Sequence, residues 1–318
     1  MLARIAHELF WLGRNLSRAE HTARMLDGVF QIDLQARPDD PSSVTLGWGA
    51  LLAIMGAGDG RPARRDDVLR ALTIDETNPA SIMACVGRSR EGARTVRDVI
   101  SNEMWEAINT THLRLTESDL ESRLRTAPYS VYREVRERCA LFWGLTSRTM
   151  LNDEARAFLT AGGRIEAGDM MLRMLRVALP GVTTVDAEDG RVDGQALALL
   201  HAVGAFQAFR RAVPASPNAL PVTRFLLYER AYPDSVAAAV DAVHEALVQS
   251  DANPRNSEPV LRLSRLSADL EFRRRAADTD TDLPELCEIV QRELALAEQD
   301  IADRYFAGAS SAPGVVTT

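Results

Sequence analysis

The sequence predicts an all-α protein, a multi-helix bundle whose first long helix recurs near the middle of the chain. From residue 2 to residue 30, apolar residues recur at steps of three and four, which is the spacing of one helix face. No segment alternates apolar and polar residues between hairpin turn signals, so strands are not predicted. A third observation is that residues 151–179 repeat the pattern of residues 2–30.

The repeat is clearest in a stripe of glycine and polar residues that have the same helical spacing in both copies. The first stripe is Gly13, Ser17, Glu20 and Arg24, and the second, 149 residues later, is Gly162, Glu166, Asp169 and Arg173. Such steps place the side chains on one face of a helix. We therefore expect the two helices to meet along a polar seam, where a local two-fold would allow Glu20 to pair with Arg173 and Asp169 with Arg24.

Helical periodicity continues along the rest of the chain. Further helices are predicted over residues 79–115, 129–178, 194–213, 219–228, 233–248, 259–275 and 283–306. Proline, glycine and short polar residues predict breaks at 37–43, 56–62, 180–194, 251–258 and 278–282.

Domain organisation follows from these breaks. Residues 1–306 are predicted to form a single helical domain, and two pseudo-repeated halves, 1–149 and 150–306, remain an open alternative. If the division follows a loop instead of the repeat, the polar segment 180–194 is the candidate boundary. Residues 307–318 are small and polar and predict a flexible tail.

Composition limits the classes of function. The 318 residues carry a net charge of -8, which argues against general nucleic-acid binding. The three cysteines lie far apart and form no CxxC pair, as expected in a reducing compartment. No uncharged apolar run reaches the length of a membrane span, so we expect a cytoplasmic protein without a membrane contact. Common nucleotide, metal and hydrolase motifs are absent, and neither a cofactor nor a metal is predicted.

Two faces of the first helix carry candidate functional residues. Trp11, Arg14 and Arg18 lie roughly opposite the apolar stripe. An indole between arginines on an outer face indicates that another helix, a loop or a ligand covers it, although a stacked Trp–Arg surface cluster is the alternative. At the margin of the core, Glu20 and Arg24 can pair with each other.

The acids of the repeat allow two interpretations. They could gather to bind a metal, an amine or a polar substrate group, or they could form buried ion pairs that fix helix register. Glu103 belongs to an acid row beside a row of arginines, and Asp153-Glu154 is either a helix start or a carboxylate pair facing the seam. The candidate binding cleft comprises Trp11, Arg14, Arg18, Glu20, Arg24, Glu103, Asp153, Glu154, Glu166, Asp169 and Arg173.

Several segments together resemble the bacterial Alpha-E domain family. In chain order they are residues 9–14, 18–20 and 22–24, Asn78-Pro79, Arg90-Glu91, Glu103, Trp105, Asp153-Glu154, Gly162, Glu166, Asp169, residues 225–227 and Tyr305-Phe306. The resemblance covers nearly the whole chain. It departs from the family's Glu-Arg motif, because this chain has Ser17-Arg18 in the first copy and Glu166-Ala167 in the second. Each copy therefore keeps one half of the motif.

The resemblance, and not the composition or spacing, implies a functional context. Members of the family accompany a circularly permuted ATP-grasp protein and a transglutaminase-like protease. This implies a non-catalytic or substrate-binding partner of an ATP-grasp amide or peptide ligase in bacteria, with the face around Arg14 and Arg18 as the docking surface. Two alternatives stay open: an enzyme acting on amide or amine substrates through the carboxylate and arginine cleft, and a helical scaffold.

Overall fold

A computed structural model of the chain describes residues 1–35, 47–117, 119–179, 190–276 and 283–308. These residues form helices and turns and contain no strand, which confirms the all-α prediction. The helices are α1 (Ala3–Gln35), α2 (Trp48–Ile54), α3 (Arg65–Thr73), α4 (Ile82–Thr95), α5 (Asn102–Glu117), α6 (Leu120–Thr126), α7 (Pro128–Thr149), α8 (Glu154–Ala178), α9 (Gly190–Ala202), α10 (Phe206–Ala212), α11 (Ala219–Tyr228), α12 (Val236–Ser250), α13 (Glu258–Arg275) and α14 (Leu283–Tyr305), with a 3-10 turn at Pro254–Asn256.

The longest predicted helices are each divided in the structure. Residues 79–115 form α4 and α5, and residues 129–178 form α7 and α8. Helix α8 begins where the Asp153 carboxylate accepts hydrogen bonds from the backbone N–H groups of Ala155 and Arg156, which is a capping geometry that favours a helix start over continuation.

Other boundaries also differ from the prediction. Residues 194–213 divide into α9 and α10 at Gly204, whose φ of +72° ends a helix. Helices α2, α3 and α6 were not predicted. Residues 190–194, predicted as a break, belong to α9. The breaks at 37–43 and 278–282, most of the one at 180–194 and most of the tail lie outside the described residues.

Helix α8 lies at the centre of the bundle. It packs against α1, α12, α14 and α2, and residues on nearly every side of it are buried, including Phe158, Met170 and Leu172. A helix that is covered all round needs no polar face. Its small residues allow the neighbouring helices to approach closely.

The first and second copies of the repeat, in α1 and α8, pack directly on each other. A Cβ atom placed on Gly13 would overlap the carbonyl oxygen of Leu159, and one placed on Gly162 would overlap the carbonyl oxygen of Phe10. These two contacts are equivalent under the shift of 149 residues, so the helices cross about a local two-fold. Close backbone contact of this kind requires glycine at both positions.

The helices that surround α1 correspond to those that surround α8. Helices α4 and α7 pack on α1, whereas α12 and α14 pack on α8. Both α4 and α12 begin after a Pro-x-Ser sequence, with the Ser81 and Ser235 hydroxyls each accepting a hydrogen bond from a backbone N–H three residues on. Helices α2 and α9 both end at a glycine of positive φ, Gly56 and Gly204. The division into halves 1–149 and 150–306 stays a prediction.

Candidate functional site

The seam between α1 and α8 contains a buried carboxylate held by two arginines from the other helix. Glu166 on α8 is fully buried. Arg18 on α1 donates from Nε to Glu166 Oε1 at 2.5 Å and from Nη2 to Oε2 at 2.9 Å. Arg14, one turn earlier, donates from Nε to Oε2 at 3.0 Å. The fork of Arg18 therefore binds the carboxylate in a bidentate manner.

A second carboxylate reaches the same cluster from α14. Glu298 Oε1 accepts a short hydrogen bond from Arg14 Nη1, so Arg14 links two acids on two different helices. Sequence reasoning missed Glu298, which is one of several acids on α14 with no distinguishing neighbour. We call Arg14, Arg18, Glu166 and Glu298 the seam cluster.

The pKa values of the two acids of the seam cluster are shifted in opposite directions. Burial alone would raise the pKa of Glu166, but the guanidinium groups of Arg18 and Arg14 outweigh it and hold the pKa at about 2. Burial raises the pKa of Glu298; Arg14 opposes this effect, while Glu166 and Asp169 reinforce it. Glu166 is thus a fixed anion, whereas Glu298 takes up a proton more readily than an ordinary glutamate.

The outer face of α1 is covered by another helix. Arg14 is buried, its guanidinium lies 4.9 Å from the centroid of the Trp11 ring, and its partner Glu298 belongs to α14. Phe306, just after α14, packs against the rings of His7 and Phe10. The covered interpretation of this face therefore fits the structure, and the Arg14 guanidinium is not presented at the surface.

The crosswise pairs that a local two-fold would allow do not form among the described residues, and each acid instead makes the pair that the i, i+4 spacing within its own helix also allows. Glu20 pairs with Arg24 of the same helix at 2.7 Å, and Asp169 pairs with Arg173 of the same helix at 2.8 Å. Asp169 also accepts a hydrogen bond from Gln291 on α14 at 2.7 Å. Each of the two arginines also lies close to the end of another helix.

The helix ends beside Arg173 and Arg24 are the C-termini of α2 and α9, respectively. A Cβ atom on Gly204 would lie 3.0 Å from Arg24 Nη1, and one on Gly56 would lie 3.5 Å from Arg173 Nη1. Cations are favoured at a helix C-terminus, where carbonyl groups lack intrahelical partners. The two arginines therefore link each copy of the repeat to a short helix of the other half of the chain.

The remaining candidates do not join the seam cluster. Asp153 caps α8, and Glu154 is about half exposed with its carboxylate 2.7 Å from the terminal amine of Met1. Glu103 is exposed in the first turn of α5. The structure therefore brings together four of the predicted residues, Arg14, Arg18, Glu166 and Trp11, whose ring lies against Arg14, and distributes the others along the seam or over the surface.

The seam cluster leaves little room for a ligand. The Glu166 carboxylate has about four acceptor positions, and guanidinium nitrogens of Arg14 and Arg18 occupy both of its oxygens. No member of this cluster lines either the cavity beside Arg123 and Arg138 or the small one beside Cys139. Within the same residues, no group of three or more histidine, cysteine or acidic side chains is placed to hold a metal.

Comparisons with known proteins identify the family. Residues 1–306 match the model of the Alpha-E family, described as a predicted alpha-helical domain with a conserved ER motif, and the chain belongs to this family. It is 25% identical over 275 residues to uncharacterised proteins of Mycobacterium bovis and Mycobacterium tuberculosis, a match that covers 80% of this chain. The chain spans 31% of the length of those relatives.

No solved structure matches the chain significantly. Among the described residues, no helix combines the length and the apolar character needed to cross a bilayer. The family match confirms the resemblance that the sequence motifs indicate, and the mycobacterial relatives confirm its bacterial character.

Proposed function

We propose that this Alpha-E protein is a non-catalytic, substrate-binding or partner-binding module of a bacterial ATP-grasp amide or peptide ligase system. The observation that carries the non-catalytic part is the complete burial of Glu166, whose two carboxylate oxygens accept three hydrogen bonds from Arg14 and Arg18. General acid–base catalysis requires a side chain within hydrogen-bond reach of the substrate. The family resemblance supplies the ATP-grasp context.

The size of the relatives supports a module that works beside other segments. The chain corresponds to about a third of the mycobacterial proteins that it matches. A domain that forms part of a longer chain can present a substrate or position a neighbouring catalytic domain without carrying out chemistry itself.

Substitution of Arg14 and Arg18 cannot test whether the face around them is the docking surface for the ligase. Replacing both with alanine would leave Glu166 as a buried, unpaired charge and would destabilise the fold itself. An accessible alternative is Trp105, which is half-buried, with the guanidinium groups of Arg97 and Arg90 at 4.8 and 5.8 Å from its ring centroid. Tryptophan and arginine are the residues most often found at binding hot spots.

Co-purification with the ATP-grasp protein of the same organism tests the proposal. We expect a stable complex, with ATP-dependent amide formation that needs both proteins, and weaker binding for Arg97→Ala combined with Trp105→Ala. Arg94→Ala is the matched control, because Arg94 lies on the same helix as Arg90, is exposed and, in the part of the chain that the structure describes, pairs with Glu91 alone. A ligase that is fully active alone and does not retain the chain would refute the proposal.

Glu298 favours the second candidate, an enzyme acting on amide or amine substrates. Its pKa is raised by burial, and a carboxyl group of raised pKa is what a general acid needs. Under this alternative the purified chain would hydrolyse or form an amide without the ligase, and Glu298→Gln would abolish that activity. Absence of turnover by the chain alone would remove this candidate.

A further inference from the structure

A cavity that shares no lining residue with the seam cluster is lined by four arginines. It has a volume of about 470 Å³ and lies between α5, α6 and α7. Its charged lining consists of Arg114, Arg123, Arg133, Arg138, Glu134 and Glu137. Four guanidinium groups thus face two carboxylates in a protein whose net charge is -8.

Two of these arginines are held in place by one carboxylate. Arg114 Nη1 lies 3.0 Å from Glu134 Oε1, and Arg123 Nη2 lies 2.7 Å from Glu134 Oε2. Burial would raise the pKa of Glu134, but hydrogen bonds from Arg123 and Arg114 lower it, so the acid is ionised at neutral pH. This arrangement fixes the position of both guanidinium groups on the wall of the cavity.

The other two arginines have capacity for an external anion. Arg133 makes only a long contact, 3.7 Å, with Glu137, and both side chains are mostly exposed. Arg138 is half-buried and makes no hydrogen bond or ion pair within the described ranges. It also lines a small apolar cavity next to Cys139 and Phe142, so its aliphatic stem is packed while its charged end remains available.

We propose that this cavity binds a small molecule carrying a phosphate group. A phosphate dianion offers three acceptor oxygens, and guanidinium groups bind it through paired, charge-assisted hydrogen bonds. The volume lies within the range of pockets that hold small ligands. Leu141, which is 43% exposed at the same cavity, offers an apolar contact for the rest of the molecule. The inference is independent of the proposed ligase partnership.

Calorimetric titration of the full chain with pyrophosphate, and with succinate as a small dicarboxylate, tests the proposal. We expect saturable pyrophosphate binding that is weakened about tenfold or more by Arg138→Gln, as for the loss of one charge-assisted contact. Arg148→Ala on the same helix, exposed and outside the cavity, controls for the lost charge and should bind as the unmodified protein does. Circular dichroism checks the fold of each variant.

A variant that is expected to bind pyrophosphate more tightly completes the test, because a loss of stability cannot explain a gain in affinity. Glu134→Gln removes the carboxylate that Arg114 and Arg123 now share, so pyrophosphate should bind more tightly. Glu154→Gln on α8, which changes the net charge equally but lies outside the cavity, should leave binding unaltered. Equal affinity in Arg138→Gln and Arg148→Ala, no saturable binding of pyrophosphate, or tighter binding of succinate would each overturn the phosphate assignment.

Discussion

Replacing Glu166 by glutamine measures how much the seam cluster stabilises the fold. Glutamine keeps the volume of the side chain but removes its charge, and its NH₂ group meets the donors of Arg14 and Arg18. Both arginines are largely buried, with exposed side-chain fractions of 8% and 22%. The variant therefore leaves two guanidinium groups without their shared counter-ion.

The expected loss is several kcal/mol. Breaking a buried ion pair from one side costs about 3–5 kcal/mol. The depressed pKa gives a similar figure, because a shift from 4.5 to about 2 corresponds to about 3 kcal/mol. At about 2.1 cal/mol/K of unfolding entropy per residue, the melting temperature of the variant should fall by about 5–7 °C. Urea denaturation and calorimetry measure the two quantities.

The direction of the pKa shift of Glu166 determines how its contribution to stability changes with pH. Because the folded-state pKa of Glu166 lies below its ordinary value, the stabilisation is fully present above about pH 4.5 and is lost as the pH falls towards 2. The difference between the unmodified protein and Glu166→Gln should therefore shrink by about 2 kcal/mol between pH 7 and pH 3.

Two results would refute this reasoning. One is a loss below about 0.5 kcal/mol at pH 7, the size expected for an exposed pair. The other is a difference that does not change with pH. Glu154→Gln is the matched control, since Glu154 lies on the same helix and its side chain is 48% exposed; it should cost less than about 1 kcal/mol.

Two further predictions follow from the same region. Glu298→Gln should leave the free energy of unfolding at pH 7 unchanged or raise it, because the raised pKa of Glu298 means that its ionised form is disfavoured in the fold; a loss above about 1 kcal/mol by urea denaturation would contradict this. Gly162→Ala should destabilise by more than about 3 kcal/mol, since the methyl group would overlap the carbonyl oxygen of Phe10. In the same assay, Gly144→Ala at an open, exposed position of α7 should stabilise by about 0.5–1 kcal/mol.

Much of the fold is predictable from the sequence because it depends on local spacing. The apolar stripe of α1 and its recurrence in α8 require only helical periodicity, and the glycines at residues 13 and 162 mark the close crossing. The breaks after residues 95 and 149 are harder to place. Apolar residues continue across both breaks, and only the second has a start signal in the sequence, Asp153-Glu154.

The partners in the seam were predictable only where they belong to one helix, as for Glu20 with Arg24. A stripe specifies which side chains share a face, but the crossing geometry decides which of them meet. Glu20 and Asp169 have an arginine of their own helix within reach, so an intrahelical pair competes with a crosswise one. Glu298 is brought to Arg14 by the packing of α14, a contact between positions 284 residues apart that no local pattern encodes.

The way in which α1 and α8 cross explains why each copy of the repeat has only one half of the Glu-Arg motif. Under the shift of 149 residues, Ser17 corresponds to Glu166 and Arg18 to Ala167. The observed pair of Arg18 with Glu166 therefore joins the arginine of the first copy to the glutamate of the second. The same two-fold relates this pair to positions 17 and 167, which are both buried.

A glutamate at position 17 without an arginine at position 167 would be a buried, unpaired charge, which costs several kcal/mol. The two positions are therefore coupled, and a polar serine with an alanine is a stable joint replacement. The chain does not contain two defective motifs. It contains one intact Glu-Arg pair, which joins the two copies. The pair that the two-fold would place at positions 17 and 167 is absent as a whole, because neither its glutamate nor its arginine is present.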